Sequence, residues 1–254
     1  MEVHHPQKHI HHDKKWKEYA LEFLMIFLAV SLSFFAENIR EKITDHKMAK
    51  VYAAAMLDDL KADTAELNAY YRYWDYASKN VDTLFQLLSA NNPGQVPSGK
   101  LYWYGLFGGA PAIFIPNDAT FQQMKSAGTL RLFRNSLIRE VAEYDQLART
   151  MKAYGQQDEG IFLEVRKIRS QIFYVQTNER ANDIYQAGKS SFVQDRIDSF
   201  MRSDPPLLRN DEAIFNQYLE LVRSRFMTSK VHYAKELLQQ ATTLIQDLER
   251  VYRL

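Results

Sequence analysis

Apolar positions along most of the chain recur at a spacing of three and four residues, which is typical of helices with one buried face. Near the C-terminus a second apolar row widens this face to about three positions in seven. The rows there are Val231, Ala234, Leu237, Leu238, Ala241, Leu244, Ile245, Leu248, Val251 and Tyr252. No segment alternates apolar and polar residues with the period of two that strands require. The pattern therefore predicts an all-α protein, an elongated antiparallel helical bundle.

Glycine and proline, which interrupt regular structure most strongly, are distributed unevenly. Neither occurs in residues 7–92 or in residues 207–254, and they cluster in residues 93–118. We therefore predict one very long first helix, an irregular connection over residues 93–118, a middle helical pair loosened at Gly155 and Gly160, and one long final helix.

Capping signals refine two of these boundaries. Thr120 and Gln123 have the spacing of a capping box, which predicts a short helix starting near Thr120. Gly128 then falls where a glycine terminates a helix. Asn210 or Asp211 is expected to cap the final helix.

One run of the first helix is apolar on every side. Residues 19–36 would extend about 27 Å as a helix, close to the roughly 30 Å hydrocarbon core of a bilayer. Trp16 and Tyr19 stand where interfacial aromatic residues are common. A cleaved signal peptide is the alternative, with a candidate cleavage site near Ser33. Because helical sequence continues without a break beyond Ala36, we favour a permanent single-span anchor continuing into a stalk helix.

The chain is accordingly divided into three parts. Residues 1–18 form a tail rich in His and Lys, residues 19–36 a transmembrane helix, and residues 37–254 a helical bundle domain. Lysines are denser immediately before the span than after it, which favours a cytoplasmic N-terminus and a periplasmic helical domain in a bacterial inner membrane. A cytoplasmic bundle remains the alternative.

Three polar residues belong to the span or its border. Glu22 either extends to the lipid headgroups or contacts a partner helix, since intramembrane charge is tolerated where it is paired. Glu37 and Asn38 are expected to form an interfacial polar collar.

Two blocks of sequence resemble a bacterial family of single-span membrane proteins whose domain has no known function. The first is KKWKEYALEFLMIFLAVSLSFFAENIRE followed by LDDLKAD, in which Glu22, Glu37, Asn38 and Glu41 match the family pattern. The second is TFQQMKSAGTLRLFRNSLIREVAEYD, which is similar to the family's middle motif. The histidine-rich tail departs from the pattern. The resemblance implies an envelope location in Gram-negative bacteria and implies no reaction.

Composition and motifs exclude several kinds of chemistry. The net charge of +1 argues against a general nucleic-acid binder, and the absence of cysteine excludes thiol catalysis. No phosphate-binding loop, HExxH motif or catalytic constellation occurs, so no catalytic residue and no cofactor is predicted. Histidine tracts can bind metals, but the tail lacks further ligands at site spacing and is expected to be solvated. Its members, the weak metal candidates, are His4, His5, His9, His11 and His12.

Aromatic residues supply the candidate interaction face. Tyr70, Tyr73 and Tyr76 fall off the apolar row of the first helix, and Tyr102, Trp103 and Tyr104 follow in the connection. Such residues are frequent in binding surfaces. The acidic group Asp58, Asp59 and Asp63 is expected to be a solvated face rather than a cation site.

These features favour a non-enzymatic, membrane-anchored helical protein that acts through protein contacts as a structural, scaffold or accessory subunit. Its expected partners are the lipid bilayer and either further copies of the chain or another membrane protein. The alternative is a periplasmic sensory or ligand-binding helical bundle.

Overall fold

The computed structural model describes residues 16–109, 113–188, 191–227 and 230–254. Within these ranges the chain forms α-helices and three short 3-10 helices and no β-strand, so the all-α prediction is confirmed. The chain divides into two compact units, Met1–Val51 and Tyr52–Leu254. The α-helices are α1 (Trp16–Ala90), α2 (Ser98–Leu106), α3 (Ala119–Ser126), α4 (Asn135–Ile172), α5 (Val175–Gln186), α6 (Ser191–Arg202), α7 (Glu212–Met227) and α8 (Lys230–Tyr252).

The very long first helix is present as predicted, since α1 has 75 residues and no glycine or proline. The predicted irregular connection is different. It contains a helix, α2, whose Leu101, Tyr102 and Trp103 are buried. Burial of these three large side chains outweighs the local preference of the surrounding glycines and prolines for turns.

The middle and final segments also differ from the predicted layout. Gly155 and Gly160 do not interrupt α4, which runs unbroken through both. A Cβ atom at either position would meet nothing within 4 Å, so both lie on an open face of the helix. A glycine there costs about 1 kcal/mol, which the buried opposite face of α4 offsets. The predicted single final helix is described as α7 and α8, and residues 228 and 229 between them lie outside the described residues.

The cap predictions are partly right. Gly128 adopts the left-handed conformation after α3, with φ of 65°. The capping box is not formed, because α3 begins at Ala119 and the Thr120 N–H donates to Oδ2 of Asp59 at 3.3 Å. At the start of α7, Oδ1 of Asp211 accepts the Ile214 N–H at 3.1 Å, so Asp211 is the cap.

The core of the second unit is rich in aromatic contacts. Phe173 packs against Tyr102, Phe215 and Tyr218, with ring centroids 4.8, 6.1 and 6.1 Å away. Tyr102 also fixes two loops, because its hydroxyl donates to the Pro206 carbonyl at 2.7 Å and accepts the Tyr174 N–H at 3.0 Å. Helices α2, α4 and α7 therefore meet around one cluster of rings.

Helix α2 packs against the end of α6 at a distance that only glycine permits. A Cβ on Gly99 would lie 2.1 Å from the carbonyl oxygen of Phe200 and 2.7 Å from that of Ser203. We predict that Gly99→Ala lowers the free energy of unfolding by at least about 2 kcal/mol, because backbone atoms would have to move. Urea unfolding of the full chain in detergent, followed by near-UV circular dichroism, measures this.

Gly155→Ala is the matched control, since it adds the same methyl group to an open helical position. It is expected to raise stability by about 0.5–1 kcal/mol. Equal effects of the two substitutions would contradict the close approach at Gly99.

Candidate functional site

The first unit contains the candidate membrane span. Among the described residues α1 is the one helix long and apolar enough to cross a membrane, and none of its apolar 18-residue window is buried. Glu22, Glu37 and Asn38 are all exposed. Glu37 forms an ion pair with Arg40, whose Nε donates to Oε2 at 3.0 Å. This pair places opposite charges at the end of the apolar segment, where a polar collar was predicted.

Small residues and one carboxylate recur along one side of the apolar segment, next to Ile26. With about 100° between successive residues of an α-helix, Glu22, Ala29, Ser33 and Ala36 fall on one side. The hydroxyl of Ser33 donates to the Ala29 carbonyl at 2.8 Å, so its polarity is satisfied within the helix. We call these four residues the Glu22 face.

The aromatic residues predicted as an interaction face lie largely in the protein interior. Tyr102 and Trp103 are buried, and Tyr70, Tyr73, Tyr76 and Tyr104 are half-buried. Because α2 is a core helix rather than a loop, its rings pack inward. Tyr102 and Trp103 therefore form no part of an exposed face, which corrects that prediction.

Two of the predicted tyrosines nevertheless border an open groove. Tyr73 and Tyr76 line it together with Arg72 and with Tyr185 of α5. The rings of Tyr76 and Tyr185 stack at an interplanar angle of 18°. Burial raises the pKa of Tyr73, so its phenol stays protonated at neutral pH.

The acidic residues of α1 separate into different environments. Asp58 is exposed, as a solvated face predicts, whereas Asp63 is fully buried. Oδ1 of Asp63 accepts hydrogen bonds from the backbone N–H and the side-chain amide of Asn117, both at 2.8 Å, and Oδ2 accepts one from the Tyr144 hydroxyl at 2.6 Å. Burial and this carboxylate raise the pKa of Tyr144. Asp63 therefore fastens segment 113–118 to α1 and α4.

A cavity of about 240 Å³ lies beside this anchor. Its walls come from α1, segment 113–118, α3, α4 and α8, and include Leu60, Phe121, Ala148 and Leu244. Asp145 lines it and is only 7% exposed. This cavity therefore combines a buried carboxylate with apolar walls and with charged side chains toward solvent.

A buried ion pair joins α4 to α7. The guanidinium of Arg225 is 1% exposed, and its Nε and Nη2 donate to the carboxylate of Asp158 at 2.8–3.0 Å. Nη1 donates to the Gly108 carbonyl at 2.8 Å. The ring of Trp74 lies 5.1 Å from the guanidinium carbon. These contacts satisfy a charge that would otherwise be very costly to bury.

Sequence reasoning missed this pair, although a signal existed. Tyr218, Val222 and Arg225 continue one buried row of α7 at a spacing of four and three. Asp158 lies seven residues after buried Met151 on α4. Opposite charges at core positions of two helices indicate a buried ion pair.

The metal candidates of the sequence, His4, His5, His9, His11 and His12, lie outside the described residues. Within the described ranges no group of three His, Asp or Glu side chains is arranged to hold a metal ion.

Comparison with known proteins gives no relative for this chain: no protein-family model, no curated protein and no solved structure matches it.

We predict that Arg225→Met destabilises the second unit by about 3–5 kcal/mol, because the carboxylate of Asp158 stays buried but loses the hydrogen bonds of the guanidinium. Adding Asp158→Leu should recover part of this loss. Urea unfolding of the single and double variants in detergent measures the coupling.

Arg223→Met serves as the control, because Arg223 is exposed on the same helix. Its effect should stay within about 1 kcal/mol. If the double variant loses at least as much free energy of unfolding as the two single variants together, the ion pair is not the source of the effect.

Proposed function

We propose that the chain is a non-enzymatic, single-pass membrane protein of the bacterial envelope whose helical domain acts through protein contacts. One observation carries the proposal: an apolar helical segment long enough to cross a bilayer is left entirely uncovered by the protein. Exposed apolar surface of that extent is rare on soluble proteins and marks a contact with lipid or with another protein. The resemblance of residues 14–63 to a family of single-span envelope proteins supports the same location.

The flanking charges support an orientation with the N-terminus in the cytoplasm and the helical domain in the periplasm. Lys14, Lys15 and Lys17 stand directly before the span. On the other side Arg40 is engaged with Glu37, and Lys42 and Lys47 are farther from the apolar segment. Positive charge is retained on the cytoplasmic side of membranes.

The Glu22 face supports contact with a second transmembrane helix. Small residues such as Ala29, Ser33 and Ala36 let two helix backbones approach closely, which is how helices associate in lipid. An ionisable residue on the same side is stabilised where it meets a partner rather than lipid. We propose that this partner is another copy of the chain or another membrane protein.

The cavity lined by Asp145 favours a second candidate function, a periplasmic ligand-binding bundle. A concave space that combines apolar walls with polar groups able to orient a ligand is the usual form of a small-molecule site.

Membrane anchoring predicts that the full chain stays in the membrane pellet after alkaline carbonate extraction and is released by detergent. A variant lacking residues 19–36 should appear in the supernatant, because it has lost its lipid-covered segment. Extraction of the intact chain by carbonate alone would contradict the anchor. Protease added to spheroplasts should digest the helical domain, because that domain is on the periplasmic side. Protection of the domain would indicate the opposite orientation.

Contact through the Glu22 face predicts a side-specific crosslink. The natural chain has no cysteine, so an introduced thiol reports only its own position. Ser33→Cys lies on the Glu22 face, whereas Ser31→Cys lies on the opposite side of the helix. In native membranes treated with a mild oxidant, Ser33→Cys should form a disulfide-linked dimer and Ser31→Cys should not.

Adding Glu22→Gln to Ser33→Cys tests the carboxylate. If Glu22 contacts the partner helix, the crosslinked fraction should fall; an unchanged fraction would mean that Glu22 only extends to the headgroups. Equal crosslinking at positions 31 and 33, or none at either, would refute self-association through this face and leave the anchor itself untouched.

A further inference from the structure

The cavity beside Asp63 has a distinct arrangement of charge. The carboxylate of Asp145 is buried, while Arg149 and Lys152, which also line the cavity, are exposed. Asp59 lines it too and is half-buried. Asp118 also lines the cavity and is exposed, so the buried end is negative and the solvent side carries both signs of charge.

Only part of the Asp145 carboxylate is used by the protein. Oδ2 lies 2.8 Å from Nη2 of Arg149, a residue of the same helix whose side chain is 60% exposed. Among the described residues no hydrogen bond to Oδ1 of Asp145 is found. A carboxylate that has lost most of its water and has an unused oxygen beside a cavity favours a cationic donor there.

The walls suit a ligand with an apolar body. Leu60, Ala148 and Leu244 provide aliphatic surface, and Phe121 and Tyr144 provide rings, which attract ammonium groups through their faces. The volume of about 240 Å³ lies below the roughly 300–1,000 Å³ of pockets for drug-sized ligands, so the ligand is small.

We propose that this cavity binds a small primary amine in its ammonium form. The ammonium nitrogen donates to Oδ1 of Asp145, and the apolar body lies between Leu60, Phe121 and Ala148. An anionic ligand is disfavoured, since it would bring negative charge toward Asp145 and Asp59 in a poorly hydrated space. The inference gives a ligand class to the second candidate function and does not depend on membrane anchoring.

The test is isothermal titration calorimetry of the full chain in detergent at pH 7 with three probes of similar shape. These are phenethylamine, its neutral analogue 2-phenylethanol and the anion 3-phenylpropionate. Phenethylamine should bind at least about tenfold more tightly than the alcohol, the size of a charge-assisted hydrogen bond. Equal binding of amine and alcohol, preference for the acid, or no binding of the amine would each overturn the proposal.

Asp145→Asn should remove the preference for the amine and leave binding of the alcohol unchanged. Asp183→Asn is the matched control, because Asp183 is an exposed carboxylate on α5 and does not line the cavity. Asp183→Asn should keep the full preference for the amine over the alcohol. A loss of that preference would show that the net charge of the protein, rather than Asp145, causes it.

Ala148→Leu provides a second route that leaves every charge in place. Its larger side chain should fill part of the cavity. The affinities for phenethylamine and for 2-phenylethanol should then fall by a similar factor. If Asp145→Asn does not fold, amine binding in this cavity is still tested by Ala148→Leu and by the ratio of the amine and alcohol affinities of the natural chain. Unaltered affinity for both probes in folded Ala148→Leu would place their binding elsewhere.

Discussion

The buried guanidinium of Arg225 constrains the second unit more than any other single group. It is held by Asp158 of α4, by the Gly108 carbonyl after α2, and by the face of Trp74 on α1. Each contact comes from a different part of the chain, and a charge at this depth is tolerable only when all of them are in place. The α4–α7 contact and the position of the 107–109 turn therefore depend on the same buried guanidinium. A buried ion pair adds little net stability over apolar packing, so we propose that its contribution here is to select one arrangement of helices.

Asp63 applies the same physics next to the cavity. Its two oxygens accept three hydrogen bonds, two from Asn117 and one from Tyr144, so a segment without regular structure is held against two helices. Phe114 of that segment is buried, whereas Ile113 and Ile115 are 75% and 67% exposed. The segment is thus fixed by a polar anchor and one ring, and it bounds the cavity without filling it. An enclosed space next to a rigid anchor is suited to ligand binding because little has to be ordered when the ligand enters.

The sequence predicted correctly those structural features that depend on local residue patterns alone. The all-α class, the unbroken α1, the glycine turn at Gly128 and the cap at Asp211 follow from local rules, and the structure agrees with them. The failures share a cause. Helix α2, the continuous α4 through Gly155 and the inward orientation of Tyr102 and Trp103 are decided by partners distant in sequence, such as Pro206 and Tyr174 for Tyr102. The same holds for Asp145, which stands beside Tyr144 in the sequence and gives no local sign of being buried. Contacts across more than 60 residues override propensities of about 1 kcal/mol.

The two units obey different rules of association, which makes their proposed roles separable. In the second unit the hydrophobic effect drives packing, so rings and aliphatic side chains fill the core, and charges are buried only where an opposite charge or several hydrogen bonds satisfy them. For a segment in lipid that driving force between helices is absent, and close packing of small residues and polar contacts replace it. The Glu22 face has the second character: small side chains, a hydroxyl satisfied within its own helix and one carboxylate, with Ile26 beside them. In the proposed anchor a large apolar patch is ordinary lipid-facing surface, so the specificity of the proposed contact has to come from the Glu22 face. Substitutions there should therefore change assembly without changing the stability of the bundle.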